Sequence, residues 1–170
     1  LTAGRPELTD LIPADGFDRA EVLRLAAAAE ANSEHPVGEA IRRAFGTGPL
    51  PEAEEFQSLT GYGLAARVDG HRVLIGADRL MVREGVALGV LAERGAALGA
   101  RGRTSLYMAV DGRAAAVIAV SDPLKPDTPA AIAALHDMGL KVAMITGDNR
   151  ATAAAIARET GIDEVVAEVL

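Results

Sequence analysis

Two Asp-Gly dipeptides, each set between apolar runs, constrain the fold of this chain more than any other feature. Asp69-Gly70 separates residues 64–68 from 71–75, and Asp111-Gly112 separates residues 105–110 from 113–120. A two-residue connection of this kind closes an antiparallel hairpin, because both of its residues adopt positive φ and Asp and Gly accept that readily. A further strand is expected over 56–59, joined to 64–68 through Gly61-Tyr62-Gly63. Around these strands lie helical segments at 19–31, 37–45, 77–84 and 88–101. Asp18 and Glu21 have the spacing of an N-cap and its partner, and the alanine-rich body that follows has high helix propensity. The middle of the chain therefore reads as an antiparallel sheet with helical pairs, an α+β pattern. Residues 1–17, with Pro6, Pro13 and Gly16, read as loop.

The pattern changes at Ser121-Asp122-Pro123. From there helix (127–138), strand (141–145), helix (149–160) and strand (164–167) alternate, with Gly139 and Gly161 where helix C-caps belong. That alternation is a parallel α/β unit. The expected fold class is thus α/β and α+β in one chain, joined near 119–126.

Composition limits the function classes. With 170 residues the chain holds one domain or two small ones. Hydrophobic residues make up 49% but aromatics only 3%, so alanine, valine and leucine must fill the interior. A formal charge of -7 argues against a general nucleic-acid binder, which needs a basic face. There is no cysteine, which excludes disulfides and thiolate metal sites. No apolar run approaches the ~18 residues that span a membrane, and no signal peptide is visible. The chain starts without Met and stops just after an expected strand, and is read as a segment of something longer.

Several stretches can carry chemistry. In Met144-Ile145-Thr146-Gly147-Asp148-Asn149 an apolar strand runs into a hydroxyl, a glycine and a carboxylate just before a helix. A helix start offers unpaired N–H groups and partial positive charge, the glycine admits close approach, and threonine and aspartate can meet a phosphate oxygen and a metal ion. Ser33-Glu34-His35-Pro36 lies between two helices. It is either a capping turn, with serine capping and proline opening the next helix, or a cleft edge whose His35 ring meets a base or phosphate. Glu30 is either a solvated face residue or an acceptor for an exocyclic amine. Gly61, Gly63 and Gly76 either bend the sheet or clear room for a flat ring. There is no GxxxxGK[ST] loop. Asp122-Pro123-Leu124-Lys125-Pro126-Asp127 reads as a stiff hinge, and His71 and His136 as surface residues without ligand-type partners.

Taken in order, SEHP, GxG, DPLKPDT and MITGDN followed by TAAAIARETGID resemble the cytosolic ATP-binding part of heavy-metal-transporting P-type ATPases, the copper exporters above all. The resemblance covers nearly the whole chain. It implies a nucleotide-binding (N) domain over 13–118, and part of a haloacid-dehalogenase-like Rossmann phosphorylation (P) domain over 1–12 and 119–170, with the hinge at 119–126. By the same resemblance Glu30 and His35 would engage the adenine of ATP. Gly61 and Gly63 would shape the cleft with Leu64 beside it, and Gly76 would lie at its floor. Thr146, Gly147 and Asp148 would meet the phosphates and Mg²⁺ when the domains close. Ala77 departs from the family's usual Asn, so a polar contact is lost or partly replaced by Asp78. The implied parent is an ATP-driven Cu⁺ exporter acting through an aspartyl-phosphate. This segment would lie at the cytoplasmic face of a membrane, its partners being the transmembrane and actuator domains of the same transporter. The acceptor aspartate is absent from these residues, so they are expected to bind nucleotide without turnover. Alternatives are a Zn²⁺, Cd²⁺ or Co²⁺ transporter, a non-catalytic nucleotide-binding module, or a phosphatase, the last lacking its DxD.

Overall fold

The computed structural model describes residues 1–147 and 150–169. Its larger part is a six-stranded antiparallel sheet of β1 (Glu7–Pro13), β2 (Ala53–Leu59), β3 (Gly63–Val68), β4 (His71–Gly76), β5 (Thr104–Val110) and β6 (Arg113–Ser121), in the spatial order β1-β6-β5-β4-β3-β2. Both expected hairpins are present. Asp69 and Gly70 turn β3 into β4 with φ of 50° and 81°, and Asp111 and Gly112 turn β5 into β6 with φ of 49° and 77°.

Helices cover both faces of this sheet. On one face lie α1 (Arg19–Ala29) and α2 (Pro36–Phe45), and on the other α3 (Asp78–Arg83) and α4 (Val90–Gly99). Along β4 the pleat sends Val73 and Ile75 into the core beneath α1 and α2, and Leu74 into the core beneath α3 and α4. Two buried faces explain why β4, β5 and β6 read as nearly continuous apolar runs instead of alternating ones. The low aromatic content is met by close approach. Ala26, Ala27, Ala28 and Ala29 of α1 are all at 0% exposure, so that helix lies flush on the sheet. In α4, a Cβ on Gly95 would fall 2.1 Å from the Tyr107 hydroxyl, so the glycine makes room for the phenol.

The strand β1 corrects the loop expected over residues 1–17. It is an edge strand, where proline is tolerated because one side of the backbone needs no partner. A bulge between Leu8 and Asp10 in its pairing with β6 breaks the two-residue alternation that would have revealed it. The sheet consequently runs from Glu7 to Ser121, past the boundaries at 13 and 118 expected from sequence.

The smaller part contains α5 (Thr128–Asp137), β7 (Ala143–Ile145), α6 (Arg150–Thr160) and β8 (Glu164–Val166). As expected, β7 and β8 are parallel, with Met144 opposite Val165. Ile132, Met144, Ala153, Ala157 and Ile162 form a core of their own. Gly139 (φ 76°) and Gly161 (φ 80°) end α5 and α6, and the N–H groups of Leu140 and Ile162 return to Leu135 O and Ala157 O, both at 3.1 Å. His136 is not the partnerless residue expected: its Nε2 lies 2.9 Å from Asp163 Oδ2, which also accepts from Val142 N at 2.8 Å. His71 likewise pairs, with Nδ1 2.7 Å from Asp111 Oδ2. Between the two parts the chain passes as a doubled segment. Thr2 bridges Leu124, and the Asp122 carboxylate accepts from the N–H groups of Gly4 at 3.1 Å and Arg5 at 3.0 Å.

Candidate functional site

A cavity of about 330 Å³ opens beside the sheet where the α1–α2 turn meets the β2–β3 and β4–α3 turns. That volume is at the lower end of the range for small-molecule sites. Of the residues singled out from sequence, Glu30, His35, Gly61, Gly63, Leu64 and Gly76 all line it.

Glu30 is the C-cap residue of α1 and only 5% exposed. A charged side chain is rarely buried without a partner, yet Glu30 Oε2 has none among the described residues. Burial pushes its carboxyl above the usual glutamate range, while a hydrogen bond from the Ser33 hydroxyl and the charge of Arg42 act the other way. Space for the group comes from Gly38 of α2, where a Cβ would sit 2.3 Å from Oε2. Arg42, one turn further on, holds the turn in place. Its Nη1 donates to the carbonyls of Glu30 and of Ser33, the latter at 3.0 Å.

His35, and not Ser33, is the N-cap of α2. Its Nδ1 accepts from Val37 N at 3.2 Å, and Pro36 opens the helix. Ser33 Oγ accepts in turn from His35 N at 3.3 Å. With Nδ1 occupied as an acceptor, the neutral ring carries its proton on Nε2. Nε2 makes no hydrogen bond among the described residues, so an N–H donor and a ring face remain for a ligand. The SEHP turn thus caps α2 through the histidine instead of the serine, and the His35 ring lines the cavity with Nε2 unbonded among the described residues.

The glycines divide into two kinds. Gly63 pairs with Gly76 across β3 and β4. A Cβ on Gly63 would lie 2.1 Å from Ile75 O, and one on Gly76 would lie 2.1 Å from Tyr62 O. These two are required by the approach of one backbone to the other. Gly61 has φ 76° and nothing within 4 Å of its Cβ position, so its side of the turn is open. Leu64, 5% exposed, packs into the α1 core and forms cavity wall.

Some expectations fall elsewhere. Thr146 and Gly147 do not line the cavity; they follow β7, where Thr146 N donates to Val166 O at 3.0 Å and Thr146 O accepts from Val169 N at 3.1 Å. Asp148 lies outside the described residues. Ala77 lines the cavity but Asp78 does not; the Asp78 carboxylate accepts from Arg79 N at 2.7 Å. Among the described residues no three His, Cys, Asp or Glu side chains gather as a cation site.

Sequence reasoning missed Gly38, Arg42, Tyr62 and Arg79. Gly38 gave a signal, because a glycine inside a helix weakens it and calls for a packing reason. The two arginines gave none, since their partners are carbonyls distant in sequence.

The profile of the haloacid dehalogenase-like hydrolases matches residues 1–170. The chain belongs to that family. Within these hydrolases it is 55% identical to Copper-transporting ATPase 1 of Rhizobium meliloti (strain 1021), over 100% of this chain and 21% of that protein. The chain thus spans about a fifth of the length of this curated relative. Among solved structures, a zinc-transporting PIB-type ATPase in an E2.Pi state aligns with a TM-score of 0.81 and 36% identity, over 100% of this chain and 28% of that one. The N-domain of HMA6, a copper-transporting P-type ATPase, aligns with a TM-score of 0.59 and 32% identity, over 69% of this chain and 100% of the N-domain. The family expected from the ordered motifs is the family found.

Proposed function

We propose that this chain is the ATP-binding cytosolic segment of an ATP-driven copper exporter. In the parent transporter ATP would phosphorylate an aspartate, and domain movement would couple that step to ion release. The observation that carries the reading is a buried glutamate oxygen, Glu30 Oε2, without a hydrogen-bond partner among the described residues, on one cavity wall with the unbonded Nε2 of His35. Adenine offers what both need: an exocyclic amine that donates to Glu30, and a flat ring with acceptor nitrogens for the face and Nε2–H of His35. The open side of Gly61 leaves room for the ribose.

The six-stranded sheet with its four helices acts as the nucleotide-binding domain, bounded by the doubled segment at 1–5 and 122–128. The unit containing α5 to β8 acts as part of the phosphorylation domain. Thr146, Gly147 and Asp148 are the residues of this chain that would face the phosphates in the intact transporter. A hydroxyl, backbone groups and a carboxylate suit a hard cation and its phosphate ligands. Mg²⁺ would neutralise charge on the phosphoryl oxygens.

Copper is preferred over zinc because the curated copper-transporting relative is 55% identical, against 36% for the solved zinc transporter. Calorimetric titration with ADP tests the reading. The chain should bind, and His35→Ala should weaken binding by about tenfold, the equivalent of ~1.4 kcal/mol. Absence of binding, or an affinity unchanged in His35→Ala, would overturn it, as would phosphate release from ATP that His35→Ala abolishes.

A further inference from the structure

The cavity wall carries, among the described residues, a single Lys or Arg side chain, that of Arg79 on α3. Two contacts fix it. Arg79 Nε donates to Gly61 O at 2.6 Å, and its guanidinium carbon lies 5.8 Å from the centre of the Tyr62 ring. Arg83 also sits over Tyr62, at 5.2 Å, but differs in having an acidic partner, Glu84 Oε1, at 3.7 Å. Arg24, Arg43, Arg67, Arg72 and Arg103 have acidic partners as well. Arg79 has none among the described residues, although Asp78 precedes it; that carboxylate is turned to the Arg79 backbone N–H.

A guanidinium has five N–H donors. With Nε on Gly61 O, the four donors of the two terminal nitrogens remain, in the fork that matches phosphate oxygens. The anchor matters as much as the charge. Gly61 is the cavity glycine with open space on its Cβ side, so Arg79 is tied to the part of the wall a ligand can pass. The cavity is therefore polar in a directed sense. Glu30, an acceptor, is buried at the α1–α2 turn, and Arg79, a donor, is exposed beyond the Gly61–Gly63 turn.

We propose that Arg79 is a phosphate-recognition residue: with the base of a nucleotide at Glu30 and His35, its guanidinium fork receives the phosphate chain and sets the preference for nucleotides over nucleosides. This rests on the nucleotide reading above and adds the residue that fixes the ligand's direction. The Gly61 and Tyr62 contacts hold the fork in advance, so little side-chain freedom is lost on binding.

The test is calorimetric titration of adenosine and ADP, without Mg²⁺, into the wild-type chain, Arg79→Gln and Arg79→Lys. Wild type should prefer ADP. Arg79→Gln should lower ADP affinity by about tenfold, the size of one charge-assisted contact, while adenosine affinity stays within twofold. Arg79→Lys should fall between, because it keeps the charge and loses the fork. The salt dependence of ADP binding should flatten in Arg79→Gln. Equal losses for adenosine and ADP would mean that Arg79 only supports the Gly61 turn, and would overturn the proposal. So would a wild-type chain that binds adenosine and ADP equally, which leaves the nucleotide reading intact. A wild-type chain that binds neither overturns both.

Discussion

Gly38→Ala separates the fold from its ligand more cleanly than any change to a charged residue. The added Cβ would lie 2.3 Å from Glu30 Oε2, 3.0 Å from its Cδ and 3.1 Å from Ser33 Oγ. The carboxylate must retreat by about 1 Å to reach ordinary van der Waals distance. It can do so by rotating, because the group struck is the end of a flexible side chain and not backbone. Stability should hold, and the helix gains about 0.5–1 kcal/mol from replacing glycine. Binding should not hold. A carboxylate displaced by that distance no longer accepts from an amine placed for the native position, and a hydrogen bond to a charged group is worth about 1.5–3 kcal/mol. The expected loss in adenine-nucleotide affinity is therefore roughly 10- to 150-fold. Calorimetry with ADP and thermal unfolding, run on the same preparation, give both numbers. Affinity within twofold of wild type in a folded variant would refute the placement of Glu30 against the ligand. A variant that fails to fold would refute the argument that the carboxylate yields.

Other outcomes follow from the same geometry. Glu30 has its carboxyl pushed up by burial, so its contribution to stability is complete below the unfolded glutamate pKa and is lost as pH rises through the folded one. Glu30→Gln should accordingly raise the unfolding free energy at pH 7 by about 0.5–2 kcal/mol while weakening ADP binding; urea melts at pH 4 and 7 check this, with the gain confined to the higher pH. His35→Asn retains a good N-cap, so its melting temperature should stay near that of wild type while its nucleotide affinity falls to that of His35→Ala, which loses cap and ring together. Arg42→Met leaves the carbonyls of Glu30 and Ser33 without their shared donor, and denaturant melts should show a loss of about 1–3 kcal/mol. Asp163 is held below the usual aspartate range by Val142 N–H and then by His136. The stability it provides is present above the unfolded pKa and is lost as pH falls through the folded one, so Asp163→Asn should flatten acid unfolding of the α5–β8 unit followed by amide signals.

How much was legible depended on how local the cause was. The hairpins at Asp69-Gly70 and Asp111-Gly112, the Asp18 cap and the glycine ends of α5 and α6 each rest on a few adjacent residues, and each was readable. β1 was not, because its Pro13 is harmless only at an edge and its bulge destroys the alternation, and both facts depend on β6. At the site, Glu30 and His35 were visible as residue types in a resembling order. What arranges them around the cavity was not. The room for the Glu30 carboxyl is due to Gly38, the fixed turn to Arg42, and the direction of the His35 ring to its cap on Val37 N. The glycines show the same limit. Sequence left Gly63 and Gly76 open between sheet bend and ligand clearance, and only the paired backbones show that each excludes a side chain from the other.

In the proposed function, the cavity between the α1–α2 turn and the Gly61–Gly63 turn holds the adenine end of a nucleotide. Amide chemical shifts recorded while AMP is titrated without Mg²⁺ test it most directly, because AMP has the base and a single phosphate. The amides of Glu30, His35, Gly61 and Gly63 should shift with one common affinity, and those of Thr146 and Gly147 should stay in place. If those four remain still while signals from residues 128–169 move, the nucleotide binds elsewhere and the cavity is not its site.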